Sequence, residues 1–582
     1  MTQKELGWAF FLLFLGLLIY WNGLTTPFLW DEKALILADP RVHHGSLFPE
    51  IFKKPFYPGR ETAFATYYRP LSTLSFRVDY SFWGLNPLGY HLTNLLLHLL
   101  NALLVYALFL HFFGSPELSF FGGFLFLAHP AHVEAVTYIP SRTDVLSFFF
   151  FLASFHFYVA GRRALKKFRP YGFSVLCYGL ALLSKERATF LPLLVFAHAL
   201  LINREKTKWK GAEGVLLLSM FSCVGMMVLV RQHLTMPVKG LLDLPRLPLR
   251  LFVLPEILFV YARIWFFPWP LHVGRIIPIE VLSVRTLIVE WSSFLVFLTA
   301  GLVFFRKPLE RFWIAWIGVA LLPVVQIFPI YFNSPHLRLA ISEYLLYYAS
   351  AGLIGLLATH WGSFLIAKGD ESLLTSKPVI ALGAILTLFC FMVIWRNGEY
   401  HDPITFFEQT LHHAPWHATA YNQLGVAYSD GGALEEGEKN FQKAISIEPR
   451  SAAPYANLAL LAYKRGDTDK ATQLYQKAFQ FSPDNSIVLY SLGYLANQRG
   501  EWQKAIPFLE RATKINPYEN IRAYRERARS YWELGEKKKA VGAIEEALKV
   551  FPGDPILQET RRHMQEEHPQ NVFSDLDPKQ KL

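Results

Sequence analysis

Residues 8–30 carry no charged side chain, and the run ends abruptly at Asp31, Glu32 and Lys33. A helix rises about 1.5 Å per residue, so about 20 apolar residues cross the hydrocarbon of a bilayer. The pattern predicts a first membrane span with two carboxylates at its far end. Further apolar runs follow at 92–113, 118–133, 145–161, 171–184, 188–203, 215–230, 291–305, 312–334, 344–367 and 378–395. Several are shorter than a full span and cross only if their polar flanks sit at the interface or in a cavity. Residues 251–267 contain Pro255, Glu256 and Arg263, and read as a span, a re-entrant segment or an interfacial helix.

Beyond Trp395 the pattern changes to polar and helix-favouring. Pro415, Pro449, Pro483 and Pro517 fall 34 positions apart, Pro552 one position late, and Gly432, Gly466, Gly500 and Gly535 keep nearly the same step. That period is the tetratricopeptide signature, a pair of antiparallel helices per unit. The expected fold is all-α: a polytopic membrane domain over 1–396, a linker and capping helix over 397–417, four repeats forming an α-solenoid over 418–552, and a C-terminal extension over 553–582. Stacked repeats present a concave face to an extended peptide or partner helix. The tail from Glu566 on reads as loose.

Composition then narrows the class. At 582 residues, 52% hydrophobic and 16% aromatic, the chain exceeds one soluble domain. Its net charge of +11 collects in short loops: Arg162, Arg163, Lys166, Lys167 and Arg169; Arg204, Lys206, Lys208 and Lys210; and Arg306, Lys307 and Arg311. Positive loops stay in the cytoplasm, which puts the N-terminus there and Asp31, 129–142, Ser184–Glu186, 333–343 and the repeats on the other side. This count requires 251–267 not to change sides. The charge therefore reads as topology and anionic-lipid contact, not nucleic-acid binding. The first run ends without a small-residue cleavage site, so it is expected to stay uncleaved. Cys177, Cys223 and Cys390 lie in apolar runs and imply neither disulfides nor zinc. Residues 24–90 form a long external loop, in which Leu71, Leu74, Val78 and Phe82 make the apolar face of a membrane-surface helix.

Polar groups gather at the external span ends: Asp31-Glu32, Tyr67-Tyr68-Arg69-Pro70, His129-Pro130-Ala131-His132-Val133-Glu134, Ser141-Arg142-Thr143-Asp144 and Ser184-Lys185-Glu186. Facing lipid, each would cost a few kcal/mol, about 2.5–3.5 for a charge at mid-bilayer, so they line a cavity or the interface. Guanidinium matches phosphate oxygens with paired donors, which makes Arg69 and Arg142 candidate phosphate ligands; snorkelling anchors are the alternative. Lys185-Glu186 is a second cation or a self-neutralising pair. His129 and His132 read as hydrogen-bonded pocket residues; as metal ligands they lack a third at clear spacing.

Together with Gly89-Tyr90-His91-Leu92-Thr93-Asn94-Leu95, these motifs resemble the transmembrane and tetratricopeptide repeat-containing protein O-mannosyltransferases and their bacterial relatives, multispanning GT-C glycosyltransferases. The resemblance covers most of the chain in order. It implies transfer of a sugar, mannose or another hexose, from a polyprenyl-phosphate donor to an acceptor hydroxyl on the outer side, with no cofactor and usually no metal. The acid of the first external loop is the family's catalytic base, which maps onto Asp31, with Glu32 beside it. Tyr68, Arg69, His129, His132, Glu134, Arg142, Lys185 and Glu186 are then expected to bind substrate. Two positions depart from the family: paired Asp becomes Asp31-Glu32, and an Ala-Glu-Arg-Tyr-like motif becomes Ser342-Glu343-Tyr344-Leu345, leaving Glu343 and, in place of the missing Arg, Arg338. A single base inverts the anomeric centre; Glu134 and Glu186 leave a retaining route open. The repeats are expected to hold an acceptor protein. The competing readings are a non-catalytic membrane scaffold and transfer to a glycan or lipid. With no Asn-x-Ser/Thr acceptor in the external region and no retention signal, a bacterial cytoplasmic membrane is favoured over endoplasmic reticulum.

Overall fold

The computed structural model describes residues 2–57, 67–164, 168–202, 211–234, 251–278, 284–322, 338–365, 377–517, 521–565 and 573. It is all-α but for one antiparallel pair, β1 (Arg275–Pro278) against β2 (Arg338–Ile341), with Arg275 opposite Ile341. Five helices among the described residues are long and apolar enough to cross a membrane: Gln3–Thr25, Pro87–Phe113, Ile139–Arg163, Ala212–Leu234 and Lys377–Gly398. Other runs become helices too, Phe168–Ser184, Leu191–Leu201, Val284–Phe304, Pro308–Leu321 and Tyr347–Leu365. The run predicted over 118–133 stops early. Its helix, Pro116–Leu127, ends where His129-Pro130 follows, because proline cannot extend a helix and pushes the residue before it out of helical geometry. Residues 251–267 contain the helix Leu254–Phe266. Lys166, Lys167, the 204–210 loop, residues 323–334 and 366–367 of the predicted runs, and nearly all the tail from Glu566 lie outside the described residues.

The chain divides into two compact bodies. The first comprises Met1–Lys33, Gly45–Phe56 and residues through Ala414; the second holds Ala34–His44 and residues from Pro415 on. In the first, long helices keep large apolar side chains outward, as a lipid-facing surface requires: Phe10, Leu18, Leu218, Met226 and Phe391 are all exposed. The helix Pro70–Trp83 buries a mixed face, Phe76 together with polar residues, and Leu71 and Leu74 of the expected apolar face are half-buried. Phe82 is 80% exposed while Ser72, Thr73 and Asp79 are buried against the bundle. The helix Pro403–His413 belongs to this first body.

In the second body, four helix pairs run from Ala418–Asp430 to Lys537–Val550, and Pro555–Gln565 closes the array. Gly432, Gly466, Gly500 and Gly535 all have φ between 72 and 86°, the left-handed turn that a Cβ would strain. Gly425 is small for another reason: a Cβ there would stand 2.6 Å from the Phe441 ring, so only glycine lets the paired helices approach. The Ala34–His44 segment is buried in this body through Leu35, Ile36 and Val42, and His44 meets Phe551 ring to ring at 6.2 Å.

Candidate active site

The turn after the first span is strained. Trp30 sits at φ 43°, a backbone region that costs a residue with a Cβ about 1–2 kcal/mol. Its ring is held by Tyr138 at 6.5 Å and Phe407 at 5.8 Å. Asp31 follows, half-buried. Glu32 is buried, and both its carboxylate oxygens are taken: Oε2 accepts from the Leu29 N–H at 2.6 Å and Oε1 from the Ile139 N–H at 2.8 Å. Burial pushes the Glu32 carboxyl up to about 8, against those two hydrogen bonds. Glu32 therefore pins the turn to the entry of the Ile139–Arg163 helix, while Asp31 is left at its lip.

The expected phosphate ligands are all engaged with carboxylates. Arg69 caps the Pro70–Trp83 helix and grips Glu186 at two points, Nε to Oε2 at 3.0 Å and Nη2 to Oε1 at 2.5 Å, over the rings of Tyr67 and Phe56. Arg142 is fully buried and ties three helices together. It pairs with Asp79 and donates to Asn94 Oδ1 and the Tyr90 carbonyl, both at 2.6 Å. Lys185 pairs with Asp144 and lies over the Tyr344 ring. Arg187 shares the same Asp144, at 3.0 Å, and donates to the Leu345 carbonyl.

Charge counting separates these groups. Arg142 with Asp79 and Arg69 with Glu186 are each neutral, whereas Lys185 and Arg187 share one carboxylate and leave a net positive charge. Burial lowers the Lys185 ammonium to about 8, with Asp144 opposing the shift. Burial would raise Glu186, but Arg69, with Arg231 and Lys185, outweighs it and holds the carboxyl well below its usual range. Tyr68 donates to the Phe52 carbonyl at 2.9 Å. With Glu186, Thr189 and Arg231 it lines a cavity of about 60 Å3, whose remaining wall is Val224, Met227 and Val228 of the Ala212–Leu234 helix.

Both histidines are committed to protein partners. His129 bridges the Trp265 carbonyl at 2.9 Å and the Ala131 N–H at 3.2 Å; His132 bridges the Phe126 carbonyl and Ser350 Oγ. No group of three or more His, Cys, Asp or Glu suited to a metal is found among the described residues. Glu134 accepts the Tyr344 N–H at 3.1 Å, and Glu343 accepts the His272 N–H at 2.6 Å. Burial, and each other's charge for Glu134, raises both carboxyls, Glu134 to about 8. Arg338 opens β2, and its side chain lies outside the described residues. Reading the sequence missed Arg187, although it directly follows Lys185-Glu186, and it missed Asp79, His272 and Arg396, for which no motif exists; Asn94 lay in a quoted motif but was given no role.

Residues 418–451 and 456–520 match family models described as tetratricopeptide repeat. Over 464 residues, 73% of the chain, it is 26% identical to "Protein O-mannosyl-transferase TMTC3" of Mus musculus, covering 49% of that protein. Over 459 residues, 75% of the chain, it is 25% identical to "Protein O-mannosyl-transferase F38B6.6" of Caenorhabditis elegans, covering 62%. The chain is thus similar in sequence to the protein O-mannosyl-transferases. A stretch of 142 residues reaches 41% identity with Xenopus laevis "Protein O-mannosyl-transferase tmtc2", covering 24% of the chain and 17% of that protein. The chain spans about half to three-fifths of the length of the first two of these relatives. Among solved structures, the MamA protein is similar at 25% identity and a TM-score of 0.23 over 25% of this chain and 80% of that one, and the tetratricopeptide protein YrrB at 17% and 0.24 over 32% and 91%.

Proposed function

We propose that this chain is a membrane glycosyltransferase that moves a hexose, mannose by its relatives' names, from a polyprenyl-phosphate carrier to a hydroxyl of an acceptor protein on the extracytoplasmic face. The observation that carries the reading is the Asp31-Glu32 turn. A strained residue on one side and a fully bonded Glu32 on the other fix the backbone of Asp31 at the end of the first span, with its side chain half-buried. Asp31 takes the proton of the acceptor hydroxyl as its oxygen attacks the anomeric carbon. The bond from that carbon to the phosphate oxygen breaks, and its electron pair leaves with the polyprenyl phosphate. One displacement inverts the centre.

The leaving phosphate carries the developing charge and needs cations in a dry setting. Lys185 and Arg187, with their net positive charge around Asp144, are the groups suited to it. The cavity beside Glu186 and Arg231 has a polar side for a headgroup and an apolar helix wall for a prenyl chain. Arg142 and Arg69 act as struts in this scheme. The repeats recruit the acceptor.

The test is transfer by the purified full chain from polyprenyl-phosphate mannose to acceptor protein, wild type against Asp31→Asn. Loss of transfer by a variant with an unchanged unfolding midpoint supports the reading. Full activity in Asp31→Asn, or none in the wild type with any polyprenyl-phosphate hexose, overturns it.

A further inference from the structure

A second polar centre lies in the first body, built by segments that the reaction scheme does not use. Glu343 opens the 3-10 turn Glu343–Leu346 two residues after β2, and Arg275 in β1 pairs with Ile341, the last residue of β2. His272 precedes β1, and Arg396 and Tyr400 lie at the end of the Lys377–Gly398 helix. Glu343 and Tyr400 are 1% exposed, Arg396 and His272 5%. Buried polar groups are nearly always hydrogen-bonded, because an unmet one costs about 1–3 kcal/mol. Here they are not. Glu343 Oε2, Arg396 Nε and Nη2, Arg275 Nε, His272 Nδ1 and the Tyr400 hydroxyl all lack a hydrogen-bond partner among the described residues.

The other atoms of these side chains are firmly held. Glu343 Oε1 accepts the His272 N–H, Arg396 Nη1 pairs with Glu399, and Arg275 Nη2 donates to the Pro270 carbonyl at 2.9 Å. The His272 ring stacks on His413 at 5.0 Å, and the Arg396 guanidinium lies 5.4 Å from the centre of the Tyr400 ring. The cluster is therefore preorganised, with its free valences left over. Arg396 Nη2 and Glu343 Oε2 stand 3.7 Å apart, too far for a hydrogen bond to each other. One hydroxyl oxygen placed about 2.8 Å from each would accept from the guanidinium and donate to the carboxylate.

Charge identifies the ligand class. Arg275 and Arg396 face Glu343 and Glu399, with Glu134 beside Glu343, so the cations have no excess with which to hold an anion, and an anion would confront the Glu343 oxygen. A group of neutral hydroxyls meets both donors and acceptor. The centre is also linked to the Asp31-Glu32 turn through one short segment. Glu32 bonds Ile139, just past the short helix Val133–Thr137, while Glu134 in that helix bonds Tyr344, next to Glu343.

We propose that Glu343, Arg396 and Tyr400 form a hexose-hydroxyl subsite that reads the sugar of the donor, separate from the groups that hold its phosphate. The assignment rests on the glycosyl-transfer reading and specifies which part of the donor this centre recognises. The experiment uses purified full-length protein in nanodiscs, with polyprenyl-phosphate mannose and polyprenyl-phosphate glucose as donors. Tyr400→Phe and Glu343→Gln, folded by unchanged unfolding midpoints, are expected to raise the donor KM about tenfold and to narrow the preference between the two sugars. Inhibition by sugar-free polyprenyl phosphate stays unchanged. Unaltered KM and sugar preference would overturn the subsite, leaving those atoms to bound water. An equal loss of affinity for sugar-free polyprenyl phosphate would overturn it too. Saturation-transfer NMR with methyl mannoside reads the subsite independently of transfer. A signal in wild type that Tyr400→Phe removes supports it even if no transfer is found, and no signal in wild type counts against it.

Discussion

Arg69 and Glu186 are 117 positions apart and meet in a two-point ion pair with Nε to Oε2 at 3.0 Å and Nη2 to Oε1 at 2.5 Å. The pair joins the start of the Pro70–Trp83 helix to the turn after Phe168–Ser184, so it fixes these two segments to each other and sets Glu186 at the edge of its cavity. Removing Glu186 takes this carboxylate from Arg69, whose side chain is 9% exposed, whereas the Glu186 side chain is 32% exposed and stays partly solvated when Arg69 is lost. Glu186→Leu is expected to cost about 2–4 kcal/mol, Arg69→Met about 1–2 kcal/mol, and the double variant less than their sum, measured as a double-mutant cycle of unfolding in detergent.

Arg142 is a strut for the same reason, in a stronger form. Its three acceptors, Asp79, Asn94 and the Tyr90 carbonyl, come from two helices, and it opens a third. Arg142→Met is expected to lower stability by about 3–5 kcal/mol, with matching loss from Asp79→Leu. A variant of normal stability with a selectively raised donor KM would instead make Arg142 a substrate ligand.

Much of this architecture was legible because its signals are local. Uncharged runs mark helices by length, and the proline and glycine period marks the repeats, whose glycines all take the left-handed turn. Span-end motifs drew attention to Arg69, Arg142, Lys185 and Glu186. Glu186 and Asp144 stood in the same motifs, but who pairs with whom was not legible, and Asp79 was missed because it lies 63 positions from Arg142 on a helix whose opposite face carries the surface pattern. The Glu343, Arg396, His272 and Tyr400 cluster had no spacing to betray it. It forms when a strand end, a loop and a span end converge, which only tertiary structure reveals.

Glu32 gives the turn a pH dependence with a definite sign. Its carboxyl is pushed up from 4.5 to about 8, so between those values the unfolded chain has released a proton that the folded chain still holds. Its contribution is thus fully present below about 4.5 and is lost as pH rises towards about 8. Thermal unfolding midpoints taken from about pH 5 to about pH 8 should fall further for wild type than for Glu32→Gln. Parallel curves would mean that Glu32 is ionised in the fold.

The repeat glycines offer a purely backbone test. A Cβ at Gly500 would meet nothing within 4 Å, yet its φ is 72°. Gly500→Ala should therefore cost about 1–2 kcal/mol through strain alone. Gly542, inside the Lys537–Val550 helix with equally open space, should gain about 0.5–1 kcal/mol on the same change. Denaturant unfolding followed through repeat-body amides checks both.

Ile36 and Val42 are fully buried, although they come from the loop just beyond Asp31 and not from a repeat. The chain enters the second body at Ala34, so folding of the repeats includes this segment. Ile36→Ala removes buried methyl groups and should cost about 2–5 kcal/mol. If the segment is part of that body, the loss will appear as faster amide exchange in the repeat helices Ile521–Glu533 and Lys537–Val550, far away in sequence. Faster exchange confined to residues 34–44 would show that the segment rests on the repeats without supporting them.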